Sequence, residues 1–400
     1  MKRWTLAVGL WVSGVTAAQG RTWVVDQGGG GQFTEIQPAI DAASPGDRVL
    51  VRGTFTYQGF TLSKGLDLEA TQGATVNGVA IRLVPLGQWA RVAGLQVINL
   101  GVERCAGPVL LASLTVSSSY GQVASIVTCQ CVLVLDCVMT GGADSALGRV
   151  GGSPGLRVLN AQVTLQRTRL VGGAGLSASM LALLSSTPGG AGLSITGGSV
   201  LVATSTCTGG TGGNGNGFLS PSPGGPGITM GAADLLVSAA SALAGGAYGQ
   251  PSAGTPGLAL AGDPAYPAAA RITAECTRTG AVASATAVPM LPYFQSPGAA
   301  QLGGPATITL NAAAGSVALA WFATTHDHVP MSGVEGALLL APPVIGLFPL
   351  TVGSSGSLPL TFPVPNSAAL RNQFAFFQAL ALPPAPAGLV FTNLADLRLR

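Results

Sequence analysis

Charge is what this sequence has least of. Only 8% of its 400 residues are Asp, Glu, Lys or Arg, and after Lys2 the one lysine is Lys64. Nucleic-acid binding rests on clustered Lys and Arg that neutralise phosphates, so that class of partner is excluded. A disordered chain would need many charges and few apolar side chains, whereas here 48% of residues are hydrophobic, so the chain folds. Uninterrupted apolar runs are missing too. The charge-free stretch between Arg169 and Asp234 is broken every few residues by Gly, Ser, Thr or Pro. No interior segment offers the roughly 20 clean apolar residues of a spanning helix, although the mean hydropathy is +0.50.

What is abundant is glycine, 59 residues, with 27 prolines. Each Gly or Pro in a helix interior costs about 1 or about 3 kcal/mol, which leaves an all-β chain with many turns. The opening MKRWTLAVGLWVSGVTAAQG reads as a signal peptide over residues 1–18: Lys2 and Arg3 precede an apolar run from Trp4 to Val15 and the small residues Thr16, Ala17 and Ala18. The expected compartment is therefore extracellular or the cell surface, with no membrane span once the signal is removed. Without Lys2 and Arg3 the basic count falls from 18 to 16 against 15 acids. A chain that near neutrality repels itself little and suits association with a surface.

Internal similarity appears when glycine pairs serve as anchors. Residues 125–142, 155–173, 192–210 and 227–246 align, with a weaker copy ending at 270–280. Four positions before each anchor stand Cys137, Thr168, Ser205, Ser241 and Cys276, all small. Further back Val132, Val163, Val200 and Leu236 recur. Between these columns the alternation slips by one residue, as at Gln166 and Arg167, the mark of a corner. Like residues at a period of about 30 to 37 predict stacked coils of parallel strands, with the Gly/Pro-rich stretches all leaving at one corner. A propeller is the second architecture, but each blade needs four full strands. Of the six cysteines, Cys137 and Cys276 fall several coils apart, too far to bridge, and most read as small buried residues. Cys105 with Cys129 is the pair to test for a disulfide.

Residues 23–70, WVVDQGGGGQFTEIQPAIDAASPGDRVLVRGTFTYQGFTLSKGLDLEA, resemble the opening coil of the pectate-lyase-like, right-handed parallel β-helix superfamily. In that group a strand, a Gly-rich turn and a short capping helix precede a P-G-D turn and the first coil. The resemblance implies that Phe33, Ile36, Ala39, Ile40 and Ala43 bury one stripe of a cap helix and that Val49 and Val51 point inward. Pectin methylesterases of that superfamily carry a G-Y-Q-D-T-L-like coil, a D-F-I-F-G coil and a G-R-P-W segment, and none occurs here. The final residues, with P-N-S-A-A-L, F-A-F-F-Q-A and a last F-T-N-L-A-D-L-R-L strand, are similar to a small C-terminal β-domain of exported bacterial proteins.

The expected architecture is a right-handed parallel β-helix over 19–295, opened by the cap helix, and a small β-sandwich-like domain over 300–400. One position before the small column lie Asp136, Arg167, Thr204, Ala240 and Glu275, which should face solvent. Asp136 and Arg167 would be neighbours on adjacent coils, with Arg169 beside them. That strip is a candidate glycan contact, and also reads as an exposed ion pair. His326 and His328 share a strand face and form a candidate zinc pair, but no third ligand is near, and the stretch reads as a solvated turn. The loop with Asn214 and Asn216 lacks the carboxylates of a calcium site and reads as flexible or self-packed. Trp23, Trp89 and Trp321 are candidate sugar platforms that also read as core. No cofactor is expected. The functional expectation is a structural, adhesive or glycan-binding surface protein whose partners are polysaccharide or other envelope components. The alternative is an enzyme of lyase, esterase or glycosidase type acting on an acidic glycan.

Overall fold

Short runs in which every second residue is a branched aliphatic, such as Val49 and Val51 or Val132 and Val134, bury that residue fully, the alternation a strand imposes. Each run pairs in parallel with its counterpart one coil away, Arg48–Val51 with Asp67–Ala70 and Val109–Ala112 with Val132–Leu135. In the computed structural model the described residues are 20–400 except 120, 122, 144–150, 179–184, 217, 239, 252–253, 263–264, 266–268, 289–290, 325, 331–333, 335–336, 341–343, 368–369, 372 and 385–388. The candidate signal peptide, 1–18, lies outside them. Two compact units divide the chain, one spanning Ala18–Val288 and the other holding Pro289–Arg400.

The first unit is a parallel β-helix with three faces. Face A runs from Thr22–Val25 through Arg48–Val51 to Thr286–Val288, face B from Thr56–Tyr57 to Thr277–Thr279, and face C from Phe60–Leu62 to Val282–Ala283. The chain visits A, B and C in turn and then begins the next coil. Two 11-residue strands, Leu156–Gln166 and Leu193–Ala203, run through the corner between C and A, which merges those faces into one 18-stranded sheet. Ile36, Ala39 and Ile40 of the helix Ile36–Ala42 are buried and belong to the same core as Val25, Val49 and Leu62.

The slip in alternation at Gln166 and Arg167 is a corner of a single residue. Ser113, Asp136, Arg167, Thr204 and Ala240 turn successive corners from A to B with φ between 47° and 56°. One left-handed residue rotates the strand onto a new face and reverses which side chains point inward. It costs about 1–2 kcal/mol in a residue with a Cβ, and the next residue inward recovers hydrogen bonds. Thr168 donates its hydroxyl to Val134 O at 3.3 Å, Ser241 donates to Val202 O at 3.3 Å, and both are buried. The small column is thus a ladder that satisfies carbonyls of the coil before.

The last aligned position needs a correction. Val200 pairs with Leu235, not Leu236, because three steps separate Ser238 from Ser241 where two separate Gln166 from Thr168. The extra residue shifts that copy by one, so Leu235 takes the fully buried inward place.

Early coils advance by 19 to 24 residues, as from Arg48 to Asp67 and from Asp67 to Arg91. The four coils that follow Val132 advance by 31 to 37, as from Val132 to Val163 and Val163 to Val200. The difference is an arm that leaves after face B and returns before face C. The described residues of neighbouring arms stack: Gly209, Gly212 and Gly215 donate to Ala244, Ala247 and Gln250 of the next arm. That three-residue period without internal bonds is the polyproline II helix. Outgoing and returning legs also zigzag, Gly190 N to Gly173 O, Gly210 N to Gly190 O and Gly225 N to Gly210 O, each at 2.8 Å. A Cβ at Gly190, Gly210, Gly225 or Gly246 would lie 1.9 to 2.2 Å from a backbone carbonyl oxygen. Glycine here is demanded by packing: the legs touch backbone to backbone.

The second unit is antiparallel apart from the pairing of Gly298–Ala300 with Ala395–Leu399. A three-stranded sheet centred on Pro305–Asn311 and a larger one containing Val317–Ala323 and Phe374–Leu382 supply a common core, with Ile308 and Leu310 from the first and Ala320, Phe377 and Ala379 from the second.

Candidate functional site

Asp136 and Arg167 sit on successive A-to-B corners, so the fold brings them within reach. Arg167 Nε donates to Asp136 Oδ1 at 2.7 Å and Nη2 to Oδ2 at 2.8 Å. The side chains are 23% and 44% exposed. Both carboxylate oxygens are engaged by one guanidinium, so Asp136 offers no lone base. Arg169 is exposed at the head of the next face B strand, in register with Val138. Thr204 and Glu275 are half-buried and Ala240 is exposed, so the column forms a wet edge of the helix.

A denser constellation was not apparent from sequence. Arg48, Asp67 and Arg91 are in register on the first coils of face A, and Glu69 follows Asp67 by two residues, on the same side. Arg48 meets Asp67 at 3.6 Å and Glu69 at 2.7 Å; Arg91 meets the same two carboxylates at 2.6 and 3.2 Å. The four charges form a closed square of zero net charge. The Arg91 side chain is 1% exposed and that of Glu69 7%. Both carboxylates are taken up by the two guanidiniums, and with Arg91 and Glu69 buried and Arg48 and Asp67 half-buried the square presents no free carboxylate to a polymeric substrate. The available signal was Asp67 and Glu69 at alternate positions of one strand in a chain almost without charge.

The open grooves are shallow. One of about 300 Å³ crosses face C, with Gln37, Thr61, Asn99 and Ser125 around a floor of Gly59, Gly78 and Gly101. Its one ion pair, Arg82 with Glu103 at 3.3 Å, is exposed. A second, of about 410 Å³, lies over Arg104, Cys105, Thr128, Cys129, Asn160 and Gln162.

His326 does not occupy a solvated turn. It opens the strand His326–Pro330 and is 1% exposed, its ring 5.5 Å from that of Phe376. The apolar alternation of the second unit places it inside, which the two polar neighbours obscured. The side chain of His328 lies outside the described residues. Among the described residues no three His, Cys, Asp or Glu come together as a metal would require.

Trp23 is held by its own surroundings. Its Nε1 donates to Asp47 Oδ2 at 3.0 Å and the Arg21 guanidinium lies 3.7 Å over its ring, so it is no sugar platform. Trp89 and Trp321 are half-buried. The loop of Asn214 and Asn216 is self-packed: Asn214 Oδ1 accepts from Gln250 N at 2.7 Å and Asn216 Oδ1 from Leu219 N at 2.9 Å. All six cysteines are buried thiols, and burial pushes Cys137 and Cys207 up to about 12.

No protein-family model, curated protein or solved structure matches the chain.

Proposed function

We propose that the protein is an exported, non-catalytic surface protein, a distant relative of the pectate-lyase-like β-helices, whose flat polar faces contact glycans of an envelope or matrix. The observation that carries this reading is the closed square. Where two carboxylates meet two arginines, the charges neutralise one another and half of the square is buried, whereas general acid–base work needs an unpaired, accessible carboxyl poised to exchange a proton. The contact surface we favour is the face C groove, where amide, hydroxyl and guanidinium groups of Gln37, Asn99, Thr61 and Arg82 flank a glycine floor along which a chain of sugar hydroxyls can lie. The strip of Asp136, Arg167 and Arg169 is a second such contact.

The test is incubation of the purified mature chain with pectin, polygalacturonate and alginate, with and without calcium, alongside a glycan array. Binding without product is the expected result, weakened by Arg82→Ala with Asn99→Ala. Release of unsaturated or de-esterified product that is lost in Asp136→Ala or Arg167→Ala would establish the enzyme instead.

A further inference from the structure

The corners from face C to face A are turned, like the others, by single left-handed residues, among them Arg104 and Thr128 with φ of 52° each. The residue after each is a cysteine. Glu103 pairs in parallel with Val127, Arg104 N donates to Val127 O at 2.9 Å, and Gln130 N donates to Cys105 O at 3.0 Å. Cys105 and Cys129 therefore stand in register on adjacent coils, at the strand spacing of about 4.8 Å. A disulfide accepts Cα separations of about 4.4–6.8 Å.

The two thiols also point alike. Cys105 Sγ lies 3.5 Å from Glu103 O and Cys129 Sγ 3.3 Å from Val127 O, each facing the carbonyl two residues back. Both side chains are buried, 1% and 3% exposed, directly under the second groove. None of the other four cysteines has a cysteine as its in-register neighbour: Cys137 follows Leu114 and precedes Thr168, and Cys207 pairs with Leu170 and Leu243. Cys131 is two residues from Cys129, in the same corner between Ala124–Val127 and Val132–Leu135, and serves as the internal competitor.

We propose that Cys105 and Cys129 are a redox pair that closes to an inter-coil disulfide. The oxidant is a disulfide, either of an oxidoreductase or of a small molecule such as oxidised glutathione. The Cys105 thiolate attacks it, forming a mixed disulfide and releasing one thiol. Cys129, losing its proton to solvent, then attacks the Cys105 sulfur and releases the second thiol. Two protein thiols become one Sγ–Sγ bond, and the oxidant disulfide becomes two thiols. The contact between the two thiols draws Cys105 down and raises Cys129, which burial raises further. This proposal is independent of glycan binding.

The experiment takes the reduced, purified chain through equilibration with oxidised glutathione, alkylation under denaturing conditions, and intact mass. Two of the six thiols should escape alkylation, so the chain should carry four adducts on a polypeptide 2 Da lighter than the reduced one. Chymotryptic cleavage between Cys105 and Cys129, at Leu110, Leu114 or Tyr120, should leave two peptides joined by the bond. The Cys131→Ser variant should still form it and Cys129→Ser should not. Six alkylated thiols after oxidation, or a bond that disappears in Cys131→Ser, would overturn the pairing. Far-UV circular dichroism and the thermal midpoint of each variant before oxidation separate a loss of fold from a loss of the pair.

Discussion

The backbone N–H of Thr168 donates to the Ser205 hydroxyl one coil further on, at 3.0 Å, in an interior that exposes 1% of either residue. Ser205 in turn donates to Ala203 O at 2.8 Å. Its side chain is small because the corner leaves room for little else, and polar because the corner leaves backbone groups without strand partners. Ser205→Ala should cost about 1–3 kcal/mol, the range for stranding buried polar groups. Ser205→Cys should cost less, because Cys137 and Cys276 fill the equivalent places and donate to Leu111 O and Val237 O. Thermal midpoints of the two variants order them, and equal losses would show that the hydrogen bonds are immaterial.

The glycine arms make a harsher prediction. At Gly210 an added Cβ lies 2.0 Å from Gly173 O, and the obstructing atom belongs to a backbone that is itself bonded to Gly190. The neighbour cannot rotate away. Gly210→Ala should destabilise by about 3 kcal/mol, the upper end of the usual cost of overpacking. Gly231, around which a Cβ would meet nothing within 4 Å, supplies the control: Gly231→Ala should be close to neutral.

Much of this was legible in residue order, and the gaps have physical causes. The one-residue slip at Gln166 and Arg167 marks a left-handed corner wherever interior residues are small, so the corners and the Thr168 ladder could be read. The arms showed their origin and return but not their structure. Gly209, Gly212 and Gly215 display the period of three, yet a polyproline II leg has no bonds of its own, and only stacking on Ala247 and Gln250 orders it. The square of Arg48, Asp67, Glu69 and Arg91 stayed hidden because the first coils carry no glycine anchors from which to set their register. His326 was misread because its neighbours are polar while its own strand position points into an apolar core.

Two kinds of ion pair on one solenoid should respond differently to truncation. Asp136 with Arg167 is half in water, so Asp136→Ala should shift stability by no more than about 1 kcal/mol. Glu69 lies 3.2 Å from Arg91, whose side chain is 1% exposed. Removing that carboxylate takes one of two counter-charges from a buried cation, so Glu69→Ala should cost about 3 kcal/mol. Added salt at 1 M should narrow the effect of Asp136→Ala and leave that of Glu69→Ala nearly unchanged, since a screening length of about 3 Å acts only on charges that solvent reaches. Equal sensitivity to salt would place the square in water.

Acid should reveal Asp47. Its carboxylate accepts the backbone N–H of Ser44 at 2.9 Å, the indole N–H of Trp23 at 3.0 Å and the backbone N–H of Arg21 at 2.7 Å. The Ser44 bond leads in holding the carboxyl below its ordinary value of 3.8, with burial acting the other way and Trp23 and Arg21 adding to the depression. A carboxyl depressed in the folded state binds its proton more readily once unfolded. Its contribution is therefore complete above about 4 and disappears as the pH falls through the lower folded value. Asp47→Asn turns one acceptor into a donor that faces other donors, and should melt below the wild type at pH 7. The gap between the two midpoints should hold to about pH 5 and shrink steadily toward pH 2. A gap that stays constant over that range would mean that Asp47 ties the first strand to the cap turn through shape alone, with its charge irrelevant.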